Sequence, residues 1–450
     1  MFTLKEIAKA TRGELLAQNK YAKVTGVSTD TRTVKGEELF IALKGVHFDA
    51  HHFVKDAFKK GAGAAVVSNT KTLSRNIPLI KVKDTRTALG DIALAHRNKL
   101  KIPIVAITGS NGKTTTKDMI AHILGRKYKT AKTQDTENNL IGVPLTILKI
   151  KDESFAVIEL GTNAPGEIEY LARITRPFVG IITNIGPSHL EGLGSLKGIL
   201  REKAALFRHL EDKGLAVINK DDKLLSQLRI KKRALTFGIT KNSCDFHADR
   251  ITTGESGISF LLNGNKFTLQ TPGAHNIYNA LAAVCACSAL GIDIKTARNA
   301  LMDFKLAKMR FDICRIKGIS IINDAYNSNP SSMKAAIEGI CAFKTKGRRI
   351  VACADMLELG KDASKLHYQT GQMIAKRGID ILVTVGRHSL DMAKGARAAG
   401  IKEVRSFQDN ESAASFLLDI SKSDDTILVK GSRSMKMEEL INCFTTCCTR

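Results

Sequence analysis

The sequence has no tryptophan, and aromatic residues make up only 5% of its 450 positions. It also lacks a basic tail and an RNP-like aromatic motif. Proteins that hold single-stranded nucleic acid stack bases on aromatic rings. These gaps therefore argue against a nucleic-acid partner, despite a net charge of +25. The lysines are spread along the whole chain, which suits either a basic cleft for polyanionic small molecules or simply solvated faces. No apolar run approaches the roughly 18 residues of a membrane span, so none is expected. The start, Met1-Phe2-Thr3-Leu4-Lys5-Glu6, lacks the basic-then-apolar layout of a signal peptide. The expectation is a cytoplasmic protein. The nine cysteines include no C-x-x-C pair, and Cys443, Cys447 and Cys448 lack the second half of a zinc site. They read as small hydrophobes in a reducing compartment.

What is present is the material of several ordinary domains. At roughly 100–200 residues each, the length predicts two to four, and hydrophobic residues at 43% are enough to give each a core. Up to about residue 100, short strands (Val24–Ser28, Glu38–Leu43, Ala64–Ser68) mix with a helix from Val54 to Lys60. From Ile102 the texture changes to strands alternating with helices: Ile102–Thr108, Phe155–Leu160, Val179–Ile185 and Gly214–Asn219, with helices over Gly166–Ile174 and Leu196–Leu210. Such alternation predicts a mostly parallel sheet. Gly264-Asn265 between two strand-like runs is a hairpin signal, and a helix is expected over Asn276–Leu290. A second alternating set follows residue 308, with strands Ile319–Asn323, Arg349–Ala354, Ile379–Val385 and Thr426–Lys430. Its helices start near Pro330, Lys365, Leu390 and Glu411. We expect three α/β domains, at 1–100, 101–308 and 309–450. The last is a Rossmann-like, doubly wound unit.

Gly109-Ser110-Asn111-Gly112-Lys113-Thr114-Thr115 is the strongest single signal. It lies between a buried strand and a helix, where a phosphate loop must lie. The glycines let backbone N–H groups approach phosphate oxygens, and the helix N-terminus favours anions. Lys113 suits the β/γ-phosphates, and the Thr114 hydroxyl suits Mg²⁺. The loop is shorter than G-x-x-x-x-G-K-[ST], because Ile107 stands where that pattern has glycine. Glu159 ends the next strand and falls on the same rim of the sheet, where ligands bind. His189 follows the strand after that. Lys203 lies on the helix beyond. Each of these three, taken alone, reads as well as an ordinary surface residue.

In this order, the loop, Glu159, His189 and Lys203 resemble the Mur ligases, over essentially the whole chain. The resemblance implies ATP as the energy source and Mg²⁺ held by Thr114, Glu159, His189 and Lys203, the lysine as a carbamate. Pro272-Gly273-Ala274-His275-Asn276-Ile277-Tyr278-Asn279-Ala280 looks like the family's P-G-x-H-N-x-x-N-A element, which puts Asn276 near the adenine. Arg310 and Asp324 resemble the third-domain residues that close over ATP. Asp324-Ala325-Tyr326-Asn327-Ser328-Asn329-Pro330 is similar to the D-x-Y-N-x-N-P element of the branch that adds D-alanyl-D-alanine, and the D-N-P-R signature of diaminopimelate addition is absent. The segments Thr136–Pro144, Glu159–Asn163, Ala354–Gly360 and Lys430–Arg433 resemble the same branch.

Ser28-Thr29-Asp30-Thr31-Arg32 and Phe40–Gly45 resemble a UDP-binding domain. Ala50 stands where that pattern has glycine, a source of strain if the position requires a positive φ. The implied reaction is phosphoryl transfer from ATP to the carboxylate of UDP-N-acetylmuramoyl-tripeptide, followed by attack of the amine of D-alanyl-D-alanine. The implied catalytic set is Lys113, Glu159, His189, Lys203, Arg310 and Asp324. Substrate contacts are expected from Ser28, Arg32, Lys44, Asn138, Asn139, Thr162, Asn163, Tyr326, Asn327, Asn329 and Lys430, in a monomer. The rival readings are a ligase of the same superfamily with another amino substrate, an inactive nucleotide-binding relative, and a nucleic-acid-binding ATPase.

Overall fold

The computed structural model describes residues 2–71, 77–254, 257–271 and 273–446. Pro272, Cys447 and Cys448 therefore lie outside the described residues. The seven described cysteines are free thiols. No helix among the described residues is long and apolar enough to cross a membrane.

Runs such as Ile104–Thr108 and Leu215–Asn219 are buried along their whole length. Only a sheet covered on both faces accepts such strands, and that is the habit of parallel sheets. The central sheet has nine strands in the order Asn265–Leu269, Gly257–Leu262, Phe246–Gly254, Arg233–Gly238, Leu215–Asn219, Val179–Ile182, Ile104–Thr108, Phe155–Glu159 and Thr130–Lys132. It is parallel from Thr130–Lys132 as far as the Arg233–Gly238/Phe246–Gly254 pair, and antiparallel beyond. The hairpin turn is Asn263-Gly264, one residue earlier than expected. Both turn residues have positive φ, +47° and +81°, which is the two-residue turn that Asn-Gly favours.

The second alternating set forms a six-stranded sheet, ordered Asp312–Ile316, Ile319–Asn323, Thr426–Lys430, Arg349–Ala354, Ile381–Val385, Glu403–Phe407. All its pairs are parallel except the first. Three of the four expected strands coincide with the observed ones, and the fourth starts at Ile381 instead of Ile379. The two edge strands were not expected, because their half-exposed, charged sequences carry no apolar run.

The N-terminal five-stranded sheet is ordered Glu14–Leu16, Leu79–Lys81, Ala64–Val67, Leu39–Ile41, Val27–Ser28. The expected strand Val24–Ser28 is in fact two. Lys23–Val24 pairs with Phe2–Thr3, while Val27–Ser28 pairs with Leu39–Ile41. Between them the chain switches partner at Thr25-Gly26, where Leu39 N–H bonds to the Gly26 carbonyl. The helix Thr85–Lys99 joins this unit to the central one. A methyl at Gly90 would meet the Tyr170 hydroxyl at 1.9 Å, and one apolar core runs from Ile7 and Leu89 to Ile147 and Ile168. The C-terminal sheet has separate cores on its two faces.

Candidate active site

The strand Ile104–Thr108 delivers the chain into Gly109 at φ +150° and Gly112 at φ +79°. No side chain would fit at either glycine. A Cβ on Gly109 would lie 1.9 Å from Thr183 Oγ1, and one on Gly112 would lie 2.2 Å from Asn279 Oδ1. The helix Lys113–Leu124 starts at Gly112 with no side chain capping it. Its first-turn N–H groups thus keep their capacity for an anion. Neighbouring strand ends hold the loop. Asn111 N–H donates to Asn184 Oδ1 at 3.0 Å, Thr183 Oγ1 donates to the Asn111 carbonyl at 2.6 Å, and Ser110 Oγ donates to the Gly186 carbonyl at 2.9 Å. Lys113 Nζ folds back onto the Gly109 carbonyl at 2.9 Å. Burial pushes its pKa down, against the pull of Glu159.

Thr114 and Glu159 meet as the sequence predicts. The Thr114 hydroxyl donates to Glu159 Oε2 at 2.7 Å and accepts from Arg310 at 2.8 Å. Asn138 Nδ2 donates to Glu159 Oε1 at 2.9 Å. A buried hydroxyl–carboxylate pair supplies hard oxygen donors of the kind Mg²⁺ prefers, so these residues fit that ion. His189 lines the same cavity but turns to a different partner. It sits in left-handed conformation at φ +53°, with Nδ1 2.5 Å from Glu358 Oε2 of the C-terminal unit. Among the described residues no group of three or more His, Cys, Asp or Glu is arranged to hold a metal.

Lys203 lies in the last turn of the helix Leu196–Ala204, the chain continuing as a 3-10 turn rather than the single long helix expected. It is 1% exposed. Burial, with Lys113 nearby, drives its pKa well below the usual lysine value. The residue before it is a determinant that sequence reasoning missed. Glu202 accepts from Gly166 N–H, Ile168 N–H and the Thr162 hydroxyl at 2.8, 2.7 and 3.3 Å. It thereby fixes the Lys203 helix to the loop after Glu159. Only the adjacency of an acid to Lys203 hinted at this.

The cavity, about 830 Å³, is closed from the far side by the C-terminal unit. Met309 and Phe311 are both left-handed, at φ +62° and +54°, and bracket Arg310. The Arg310 guanidinium sits 4.1 Å over the Tyr326 ring. Asp324 holds this bend, accepting from Phe311 N–H at 3.1 Å and from Lys430 Nζ at 2.6 Å. Lys430, expected as a substrate contact, also donates to the Asn327 carbonyl at 2.9 Å. Asn329 reaches the phosphate loop directly, its amide donating to Asn111 Oδ1 at 2.8 Å. Asn276 lines the same cavity and accepts from Asn279 at 3.1 Å. Thr162 and Asn163 line it as well. Asn139 also borders it but uses its oxygen on Ile141 and Gly142 N–H groups, at 3.0 Å each.

Ser28, Arg32 and Lys44 lie outside this cavity. Ser28 and Asp30 close a tight loop, in which Arg32 is held by both carboxylate oxygens of Asp30. Ala50 is buried at the start of a 3-10 turn and is not among the residues of positive φ. The strain considered for it does not arise.

Comparison with known proteins agrees with this geometry. Residues 23–97 match the Mur ligase family catalytic domain, 107–287 the Mur ligase middle domain, and 309–433 the Mur ligase glutamate ligase domain. A UDP-N-acetylmuramoyl-tripeptide--D-alanyl-D-alanine ligase of Bacillus subtilis is 37% identical, covering 98% of this chain and 97% of its own. A crystal structure of MurF from Acinetobacter baumannii superimposes with a TM-score of 0.92 at 31% identity, over 99% of each chain. The MurF ligase of Thermotoga maritima in complex with ADP gives 0.84 at 25% identity, over 94% of this chain and 97% of its own. With three family models matched along its length and a relative 37% identical over nearly the whole of both chains, the chain belongs to the Mur ligase family.

Proposed function

We propose that this ligase joins D-alanyl-D-alanine to UDP-N-acetylmuramoyl-tripeptide, in the cytoplasm and as a monomer, forming ADP and phosphate. The observation that carries the reading is the meeting of Thr114, Glu159 and Arg310 in one cavity, from two units of the chain. The names of the full-length relatives supply the substrates. Residues 1–100 hold the UDP end through Ser28, Arg32 and Lys44. Residues 101–308 hold ATP, and 309–450 bring the amine.

The physical task is charge management. The tripeptide carboxylate must approach a triphosphate, and two like charges at 4 Å cost about 4 kcal/mol at an effective dielectric of ~20, or about three decades in rate. The phosphate-loop N–H groups and Lys113 take up the phosphates. Arg310, fixed by Asp324 and stacked on Tyr326, supplies a second cation from the opposite wall. Thr114 and Glu159 are the residues that would hold Mg²⁺, which when bound adds countercharge and fixes in-line geometry. Lys203 fits the role of a carbamate former. Burial lowers its pKa and so favours the neutral amine, the form that adds CO₂. The carbamate is an anion, and so places a negative charge near Lys113. The C-terminal unit swings away for substrate exchange and returns on binding.

The test is phosphate release with the UDP-tripeptide and ATP, with and without D-alanyl-D-alanine. Dipeptide-dependent release with a pentapeptide product supports the reading. Release only with a single amino acid and a shorter precursor moves the chain to another branch of the family.

A further inference from the structure

Four lysine or arginine side chains line the cavity: Lys113, Arg310, Lys430 and Arg433. Three are committed. Lys113 is on the Gly109 carbonyl, Arg310 is on Thr114 and Tyr326, and Lys430 is buried against Asp324 and Asn327. Arg433 is different. Its side chain is 51% exposed, and one nitrogen, NH1, bonds to Glu438 at 2.6 Å. Among the described residues nothing takes the remaining N–H groups of its fork, which can still receive an anion.

The acidic side chains sort in the same way. Glu159 and Asp324 are bonded as described, and Glu167 accepts from Asn163 and Ala164 N–H groups. Glu358 is 51% exposed and touches His189 through one oxygen. Arg433 and Glu358 follow adjacent parallel strands, Thr426–Lys430 and Arg349–Ala354. Ligands bind beyond the carboxyl ends of such strands. The two loops are tied together, with Ser432 N–H on the Asp355 carbonyl at 3.2 Å and Leu357 N–H on Ser432 Oγ at 2.8 Å. One half-committed cation and one half-committed carboxylate thus share a rim.

A free dipeptide is a zwitterion with its charges about 7 Å apart when extended. Resting on the ligase reading above, we propose that Arg433 grips the carboxylate of the incoming D-dipeptide and Glu358 receives its ammonium. This pair orients the amine toward the acyl carbon and rejects amino substrates whose far end is uncharged.

The test compares D-alanyl-D-alanine with its C-terminal amide, which has lost the anion. Wild-type enzyme strongly prefers the acid. In Arg433→Gln the KM for the dipeptide rises about 10- to 100-fold, as for loss of a charged hydrogen bond. The KM for ATP does not change, and the preference for acid over amide collapses. Arg433→Lys keeps the charge without the fork and gives an intermediate preference, also covering the case in which the Gln variant fails to fold. Glu358→Gln raises the KM for acid and amide alike and leaves the preference intact. Wild-type preference retained in Arg433→Gln or Arg433→Lys overturns the assignment alone. Absence of dipeptide-dependent phosphate release in the wild type overturns the ligase reading, and this assignment with it.

Discussion

Lys203 in the central unit and Lys430 in the C-terminal unit are buried alike, 1% and 2% exposed, yet their surroundings are opposite. Lys430 has a carboxylate and two carbonyls within reach. Among the described residues, no hydrogen bond or ion pair reaches the Lys203 ammonium, and its pKa is driven well down. Burying a charge without a partner costs several kcal/mol, and the group neutralises instead. Lys430 is a structural cation, setting Asp324 and through it Arg310. Lys203 is an amine that burial pushes toward its neutral form. The same side chain is held as a partnered cation in one unit and pushed toward neutrality in the other, and only the neighbours decide which.

The contrast breaks most visibly in turnover. Lys203→Met should lower it about a thousand-fold, several kcal/mol of transition-state stabilisation, while leaving the melting temperature unchanged or higher. Lys203→Ala should recover part of its activity with short carboxylic acids, which can occupy the place of a carbamate; a steady-state assay with added acetate checks this. Lys430→Met should act the other way round. Removing one partner of a buried pair costs about 3–5 kcal/mol, read as a lower denaturant midpoint, and no small acid should restore the loss.

A pH series sharpens the same comparison. Because folding depresses the Lys203 pKa, the unfolded chain binds the extra proton. The penalty is absent above the unfolded lysine value, accumulates as pH falls through it, and is complete below the folded value. The rise in melting temperature given by Lys203→Met should therefore be larger near pH 7 than near pH 10. The smallest effect is expected at the clasp between the units. Asn329→Ser keeps a helix-capping oxygen for Pro330–Ala342 but loses the amide that reaches Asn111. A loss of about 1 kcal/mol corresponds to roughly fivefold weaker ATP binding, measurable by calorimetry.

The sequence made the alternation of the second and third units readable, because their strands are continuous apolar runs. It was less informative for residues 1–100, whose strands are two to four residues long, too short for periodicity to register. At the site, the phosphate loop was legible because glycine, lysine and threonine stand next to one another. The pairing of Asp324 with Lys430 spans 106 residues, and the His189–Glu358 contact crosses between units. Neither partner announces the other in a linear reading. Lys430 and the Asn139 oxygen, expected at substrate, bond the protein itself, since a side chain's type does not reveal which neighbours have already claimed it.

The most direct test of the whole account follows oxygen rather than product. The UDP-tripeptide is prepared with oxygen-18 in its terminal carboxylate and turned over with ATP and D-alanyl-D-alanine, and the released phosphate is weighed by mass spectrometry. Carboxylate activation in this cavity predicts one heavy oxygen in each phosphate. Unlabelled phosphate would mean that ATP is cleaved without ever joining the carboxylate, and would contradict the assignment of the site.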